Sequence, residues 1–532
     1  MLPMENFRLL KRFSENGCEN SVGKGFEGGF RDGDETEMVD AKHIPIENGS
    51  GAEEIPKDGK NRRSSGKSRI KARESMMRSR WVLDGSRRHT TYLLLKRGWA
   101  GLLKRQGQRL RRIPLQFQES WNLFLDRHWS WARVAQVGFW EYGLSARPHF
   151  LHRQIKRVLL LPGDDPGSLG DDAMMQATLT TLRAMGVTQF GVAKGSVARK
   201  DLSDYGADVI QERLWDDLSS FVSILRRYQA LYVFGADVMD GDYSESLSCN
   251  RLLWLHWAHH LGFQAVLLGF SFNNKPTARI IQYFQHVNQK VSISLRDGQS
   301  LTRFSVATGR CATQSADVAF LLVPSGSTPA LRPSLDWMQE QRMAGRDIIG
   351  ININPLLLSQ NAANYREIFL DSMSRLLEFL ANNPRFRFLL LPHDYRLVVG
   401  DEQFLARLKE LLHGDVQEKT RLVEEHLTSA EVKELCGSLY AAISGRMHLC
   451  IACLGRGVPA LGIDYQDKFE GLMEHFHDDY LPVLEVTECL DSTRLIEAAT
   501  VFLEKHDTLK SQIDSHLQTV EKAARKNFPG LG

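Results

Sequence analysis

The chain has 532 residues, of which 42% are hydrophobic and 25% are charged, a composition typical of globular proteins rather than disordered or fibrous ones. This length predicts two folded domains with additional segments. The net charge is only +3, and the seven cysteines are scattered, which indicates neither a disulfide framework nor a zinc ribbon.

The beginning of the chain does not resemble a targeting signal. Residues 1–50 contain no apolar core of a signal peptide, and the acidic residues between 32 and 37 argue against a transit peptide. The most apolar long stretch, 252–272, carries three histidines, so it indicates a buried helix and strand rather than a membrane span. A cytoplasmic protein with reduced cysteines is therefore expected.

Residues 1–75 are rich in Gly, Ser, Asn and charged side chains, and we predict that they are disordered. Positive charge is concentrated from Lys57 to Arg112, which contains nineteen Lys or Arg against three Asp or Glu. The rest of the chain is therefore net acidic.

Residues 76–150 are predicted to form a basic helical extension that holds six of the ten tryptophans. Basic residues interleaved with Trp and Leu fit an interfacial helix that makes peripheral contact with an anionic membrane. They also fit a helical layer packed on the body, or a nucleic-acid arm that stacks aromatic rings on bases. All three interpretations stay open, although a nucleic-acid partner is not expected.

From residue 151 the pattern becomes regular. The apolar run "RVLLLPG" precedes "DDAMMQATLTTLRAMG", whose apolar residues recur at helical spacing until Gly186 ends the helix. Further strand and helix patterns alternate as far as "SADVAFLL". Alternating strands and amphipathic helices predict a parallel sheet, and residues 151–325 are assigned to a first Rossmann-like domain.

A second domain, 326–532, follows the linker "PSGSTPALRPS". Its strands include "RDIIGININP", "FRFLLLPHD" and "PALGIDY", and a terminal helix is predicted near residues 492–503. The fold class is therefore α/β, with two doubly wound domains facing a cleft. Ligands of such folds bind where the strands end, so functional side chains are expected in those loops.

Several predicted strands end in polar side chains that could meet in the cleft. An arginine beside a helix N-terminus suits an anion, because its planar fork of donors matches carboxylate or phosphate. Two such arginines, one in each domain, would hold a small ligand with two anionic groups. The candidates are Asp171 and Asp172, Asp237 and Asp240, Arg296 and Asp297, His393, and Arg446 with His448.

Arg446 and His448 are two residues apart, so in an extended segment their side chains share a face. A histidine beside an anion-holding arginine is a candidate proton donor. A core or helix-capping role is the alternative for His448. Helix or loop capping is likewise the alternative for each of the aspartates.

The segments "SLRDGQSL", "ADVAFLL", "LPHD" and "SGRMHLCIACLGRGVPALGIDYQDKFEGL" closely resemble the polysaccharide pyruvyl transferase family. The resemblance spans residues 157–503, and its strength comes from the order and spacing of these motifs together. It implies a GT-B-like architecture and an enzyme that moves pyruvate from phosphoenolpyruvate onto a sugar, commonly as a ketal bridging two hydroxyls.

The resemblance also implies roles for residues. Arg296 and Arg446 are expected to hold the donor, with His448 as general acid, and Lys468 adds a candidate phosphate contact beside the alternative of a solvated lysine. His393 lines the family's cleft without an assigned role. Asp171, Asp237 and Asp240 are candidates for the acceptor side. The acceptor is expected to be a sugar or lipid-linked glycan of a cell-surface polysaccharide, and neither a metal nor a further cofactor is expected.

The chain departs from the family pattern in two loops. Ser168-Leu169-Gly170-Asp171 replaces Asn-x-Gly-Asp, and Gly235-Ala236-Asp237 replaces a run of glycines. Two other functions are considered. One is a nucleotide-sugar glycosyltransferase that grips a ribose through Asp464 or Glu470, and the other is a non-catalytic scaffold on a transferase fold.

Overall fold

The computed structural model describes residues 154–530, except 164–166, 195–204, 214–217, 243, 356–363, 397–399, 465–467 and 478. The predicted disordered segment 1–75 and the basic extension 76–150 lie outside the described residues. All described residues belong to one compact unit.

The first sheet is built from short apolar runs that alternate with helices, as the sequence predicts. Its elements are β1 (Arg157–Leu161), α1 (Leu169–Ala184), β2 (Gln189–Lys194), β3 (Val209–Arg213), α2 (Leu218–Leu225), β4 (Ala230–Val233), α3 (Glu245–His260), β5 (Gln264–Phe270), α4 (Ala278–His286), β6 (Ser292–Leu295), α5 (Gly298–Thr308) and β7 (Thr313–Gln314). A 3-10 helix, Val318–Leu321, follows β7. The strand order is β3-β2-β1-β4-β5-β6-β7, and the paired strands are parallel.

The second sheet repeats this plan with six strands. Its elements are α6 (Arg332–Met343), β8 (Asp347–Asn352), α7 (Tyr365–Ala381), β9 (Phe386–Leu390), α8 (Glu402–Leu411), α9 (Gly414–Glu418), β10 (Thr420–Leu422), α10 (Ser429–Cys436), β11 (Ala441–Ser444), α11 (Met447–Leu454), β12 (Ala460–Asp464), α12 (Phe469–Met473), β13 (Val483–Glu485), the 3-10 helix Glu488–Leu490, α13 (Ser492–Glu504) and α14 (His506–Arg525). The order β10-β9-β8-β11-β12-β13 is again that of a doubly wound sheet. The predicted fold class, two Rossmann-like sheets of the GT-B-like kind, is confirmed.

Alternate residues of each strand enter different cores, because successive side chains point to opposite faces. In β1, Val158 and Leu160 join the core that also contains residues of the second sheet. Leu159 and Leu161 join a core confined to the outer side of the first sheet. The inner faces of the two sheets therefore share one continuous apolar core.

Polar contacts join the two sheets near the end of β1. The backbone N–H of Leu169 donates to the carbonyl of His393 at 3.3 Å, and Tyr395 N–H donates to Gly167 at 2.9 Å. Asp172, on α1, accepts hydrogen bonds from the backbone N–H and the hydroxyl of Ser429 at the start of α10. These contacts bring the carboxyl ends of both sheets to one region.

The final helix α14 is not among the predicted elements, which end with α13. Its buried residues His506, Leu509, Ile513, Val520 and Ala524 follow helical spacing. The signal was therefore present in the sequence, although charged and polar residues separate its apolar positions.

Candidate functional site

Arg296 follows β6 and lies at the centre of the candidate site. Its side chain is buried, with Nε donating to Ser271 Oγ at 2.7 Å and Nη1 donating to Asp317 Oδ2 at 3.0 Å. Among the described residues, its Nη2 atom has no hydrogen-bond partner. Most buried donors in proteins have a hydrogen-bond partner, because leaving one unpaired costs about 1–3 kcal/mol. The unpaired donor of this buried guanidinium therefore favours binding of an anion.

His448 lies in the first turn of α11 and comes from the opposite sheet. Its Nε2 atom is 3.5 Å from Asp317 Oδ2, an ion-pair distance, and has no hydrogen-bond partner within the described part of the chain. The ring packs against Gly170 of α1, where a Cβ would lie 2.7 Å from the ring Cγ. Glycine at position 170 therefore permits this close approach of the imidazole.

Asp317 joins the two cationic side chains. It is buried, and it also accepts a hydrogen bond from the backbone N–H of Ala319 at 2.9 Å, which caps the 3-10 helix Val318–Leu321. Burial opposes its charge, but His448 and Arg296 outweigh burial and hold the pKa of Asp317 well below its usual range. The site thus contains a permanent carboxylate between an arginine and a histidine.

Lys468 and Asp237 form a second pair across the two sheets. Lys468 Nζ is 3.0 Å from Asp237 Oδ2. Burial works against the charge of Asp237, while Lys468 and Arg296 lower the pKa of that carboxyl below its ordinary value. Asp237 follows Ala236, whose φ of +46° is the left-handed conformation that favours glycine, so the loop after β4 is strained at the site.

A small space lies beside Arg296, Asp317 and Lys468. It encloses about 200 Å³ of empty volume, including solvent at its mouth, and is lined by Arg296, Asp297, Asp317, Met447, Ile451, Lys468 and Leu472. Side chains from both sheets therefore meet at this space.

Asp171 lies in the first turn of α1, next to Gly170 and so on the His448 side of the site. Its carboxyl Cγ would be 2.8 Å from a Cβ at Gly163, so this carboxyl packs closely on the loop after β1. Burial raises its pKa to about 6; His448 lowers the pKa and Asp237 raises it. A carboxyl that titrates at this pH suits exchange of a proton with a substrate hydroxyl.

Arg446 is held differently from the sequence-based expectation. Its Nη1 atom is 2.9 Å from Asp394 Oδ2, and its Nη2 atom is 2.7 Å from Asp401 Oδ1. Both aspartates are buried, and Arg446 is not among the residues that line the space beside Arg296. The expectation that the two arginines share one ligand is therefore revised: Arg446 makes internal ion pairs.

The predicted shared face of Arg446 and His448 is also wrong. Arg446 has extended φ and ψ, but α11 begins at Met447. Residues in a helix are separated by about 100° each, so the two side chains diverge. Arg446 faces the aspartates of the second sheet, and His448 faces Gly170 and Asp317 of the first.

His393 and Asp240 are buried near the site but do not line the space. Burial, with His448 and Arg446 nearby, keeps the pKa of His393 well below its ordinary value, so its ring is neutral at pH 7. The backbone N–H of His393 donates to Asp401 Oδ2 at 2.9 Å. Asp240 accepts from the backbone N–H of Asp242, and burial raises its pKa. A loop-capping role for Asp240 fits this contact.

Four side chains that orient the arginines were not predicted from the sequence: Ser271, Asp317, Asp394 and Asp401. Asp317 lies in the motif "ADVAFLL", but its partners Arg296 and His448 lie 21 positions earlier and 131 positions later in the chain, a separation that no local pattern shows. Two residues were candidates for gripping a ribose. Glu470 accepts from Gln299 Nε2 at 3.3 Å, and Asp464 is fully buried and accepts from the backbone N–H groups of Lys468 and Phe469. Asp464 therefore caps the start of α12 rather than facing a ligand.

Within the described ranges, no group of three or more His, Cys, Asp or Glu side chains is arranged to hold a metal ion. None of the described helices is both long enough and apolar enough to span a bilayer.

Solved structures with similar folds include sugar-nucleotide enzymes. A putative UDP-N-acetylglucosamine 2-epimerase from Listeria monocytogenes is 12% identical, with a TM-score of 0.48, and the match covers 70% of this chain and 95% of that chain. ADP-heptose LPS heptosyltransferase II from E. coli is 12% identical, with a TM-score of 0.37, and the match covers 66% and 99%. These low scores assign no substrate or activity to this chain.

No curated protein sequence matches the chain. The family model described as polysaccharide pyruvyl transferase matches residues 169–467, which include Asp171, Arg296, Asp317 and His448 and end one residue before Lys468. This match covers more than half of the chain. The chain therefore belongs to the polysaccharide pyruvyl transferase family.

Proposed function

We propose that the protein transfers pyruvate from phosphoenolpyruvate onto hydroxyls of a sugar in a cell-surface polysaccharide or its lipid-linked precursor. The observation that carries this proposal is the buried, unsatisfied Nη2 atom of Arg296, a residue that lines a small space together with Lys468 and Asp317. Asp317 in turn contacts His448. Phosphoenolpyruvate is a small molecule with a carboxylate and a phosphate, and both groups match a guanidinium or an ammonium.

The proposed reaction needs one acid and one base. His448 would donate a proton to the CH₂ carbon of the enol phosphate, and this carbon becomes a methyl group. The adjacent carbon then bonds to two sugar hydroxyl oxygens in turn, while its bond to the phosphate oxygen breaks. Asp171 would accept a hydroxyl proton, since its raised pKa of about 6 makes it a stronger base than an ordinary carboxylate. The second hydroxyl proton leaves with phosphate.

The alternative of a nucleotide-sugar glycosyltransferase receives less support from the site. Asp464, one of the two residues expected to grip a ribose, caps a helix instead. A non-catalytic scaffold would not require a buried ion pair of Arg296 and Asp317 in contact with His448.

The test is acceptor-dependent release of phosphate from phosphoenolpyruvate by the purified protein, across a broad panel of glycans. Stabilisation against heat by phosphoenolpyruvate and by UDP-sugars is measured in parallel. Arg296→Lys, which loses the planar fork, is compared with Arg385→Lys at an exposed arginine. We expect release and stabilisation by phosphoenolpyruvate alone, both lost only in Arg296→Lys. Stabilisation by UDP-sugars without phosphate release would contradict the proposal.

A further inference from the structure

The C-terminal helix α14 contacts both sheets. At its start, the His506 ring stacks on Tyr440 with centroids 3.8 Å apart, and its Nε2 donates to the Tyr440 carbonyl just before β11. Beyond its end, Phe528 stacks on Tyr232 of β4 with centroids 6.2 Å apart. The residues after α14 therefore lie on the first sheet, although the helix begins on the second.

Asn527 makes the most specific of these contacts. Its side chain is fully buried, with Oδ1 accepting from the backbone N–H of Gly269 at 2.6 Å. Its Nδ2 donates to the carbonyls of Ala316 at 2.9 Å and Ala524 at 2.8 Å. Because a backbone N–H can only donate and a carbonyl can only accept, these partners fix the orientation of the amide.

The Asn527 amide binds the backbone of β5 where the pairing of β5 with β6 is irregular. The pairing of β5 with β6 shifts register between Leu267 and Phe270, and Gly269 lies within this irregularity. A Cβ at Gly269 would lie 3.0 Å from Asn527 Oδ1 and 3.3 Å from Arg296 Cβ. Asn527, Ser315 and Arg296 thus all border the position where Gly269 has no side chain.

Both groups that orient Arg296 are carried by the segments that Asn527 holds. Ser271, which accepts from Arg296 Nε, lies two residues after Gly269. Asp317, which accepts from Arg296 Nη1, directly follows Ala316. A shift of either segment would rotate the guanidinium, because these bonds use two of its three nitrogen atoms.

We propose that Asn527 is a positioning residue that sets the orientation of Arg296 through the segments of Ser271 and Asp317. This inference rests on the proposed function in one respect, that Arg296 holds an anionic group of phosphoenolpyruvate. It adds a residue outside the region matched by the family model, which ends at residue 467.

The test measures phosphoenolpyruvate binding by calorimetry in the full chain. Asn527→Asp keeps the acceptors and loses the donor to Ala316, and Asn527→Ser provides a smaller second variant. Lys526→Ala, at the exposed neighbour, is the matched control. We expect each Asn527 variant to lose about tenfold in affinity, the equivalent of one hydrogen bond, and the control to lose nothing.

Combination with Arg296→Lys separates positioning from a general structural effect. If Asn527 acts through Arg296, Asn527→Asp should add little to the loss already caused by Arg296→Lys. Full additivity, unchanged affinity in both single variants, or failure of both to fold would each overturn the proposal.

A crystal structure of the Asn527→Asp variant provides a readout without ligand. Altered hydrogen bonds from Arg296 to Ser271 and Asp317 would support the inference, and preserved ones would overturn it. If the wild type does not bind phosphoenolpyruvate, the proposed function fails, and this structure still decides the role of Asn527.

Discussion

Asp317 Oδ2 lies 3.0 Å from Arg296 Nη1 and 3.5 Å from His448 Nε2. One buried carboxylate therefore holds a permanent cation from its own sheet and contacts a titratable ring from the other. The shared carboxylate therefore brings the candidate proton donor and the candidate anion-binding arginine to one point between the two sheets.

Replacing His448 with glutamine should abolish proton donation while the fold persists. General acid catalysis typically contributes about 10²–10⁴-fold, so we expect the rate of transfer to fall by that factor. The affinity for phosphoenolpyruvate should change much less, because Arg296 remains. Phosphate release and calorimetric binding check the two parts, with exposed His413→Gln as control. Equal rates in the two variants would remove His448 from the mechanism.

Gly170→Ala should impair activity through His448 without weakening the helix. Alanine favours a helix over glycine by about 1 kcal/mol, so α1 itself should gain stability. The new Cβ, however, would lie 2.7 Å from the His448 ring Cγ and force the ring to move. Gly298→Ala is the control, because it should give a similar gain in helix stability without the clash. Its Cβ would meet only the flexible end of Gln314 at 3.3 Å. Comparable activity of the two variants would show that the ring position does not matter.

As the pH rises through the pKa of Asp171, we expect the catalytic rate to increase and the contribution of Asp171 to stability to decrease. Its pKa of about 6 in the folded state exceeds the ordinary 3.8. Its contribution to stability is thus fully present below pH 3.8 and is lost as pH rises through about 6. Asp171→Asn should therefore raise Tm at pH 7.5 but not at pH 3.5. If Asp171 is the base, the variant should also lose the rise in rate near pH 6. An unchanged pH–rate profile would assign Asp171 a capping role.

The doubly wound fold was predictable because both faces of its strands are buried. Strands such as β1 and β12 are then continuous apolar runs that end in glycine, proline or a polar loop. The helix α14 was not predicted, since polar and charged residues separate Leu509, Ile513 and Val520. These few apolar residues identify a helix only once the structure shows them packed against the two sheets.

Only those site residues that directly follow a strand could be predicted from the sequence. Arg296 and Lys468 follow strands of different sheets, and the structure places both on one small space. The direction of Arg446 depends on Asp394 and Asp401, two carboxylates on a loop of the same sheet. Spacing along the chain contains no information about such pairing.

Asp401 should contribute more to stability than any exposed acidic partner of an arginine. It is fully buried, and its carboxylate accepts from Arg446 Nε and Nη2, from Asn352 Nδ2 and from the backbone N–H of His393. Asp401→Ala removes all of these acceptors and leaves the charge of Arg446 less well compensated. Breaking a buried pair in this way typically costs about 3–5 kcal/mol.

Urea unfolding of Asp401→Ala checks this prediction against Asp371→Ala. Asp371 pairs with Arg375 on the surface of α7, where both side chains are 60% exposed, and such pairs contribute only about 0.3–0.5 kcal/mol. If Arg446 instead turns toward the donor, phosphoenolpyruvate should restore much of the stability lost in Asp401→Ala. A smaller loss in Asp401→Ala than in Asp371→Ala would refute the structural role of the Arg446 ion pairs.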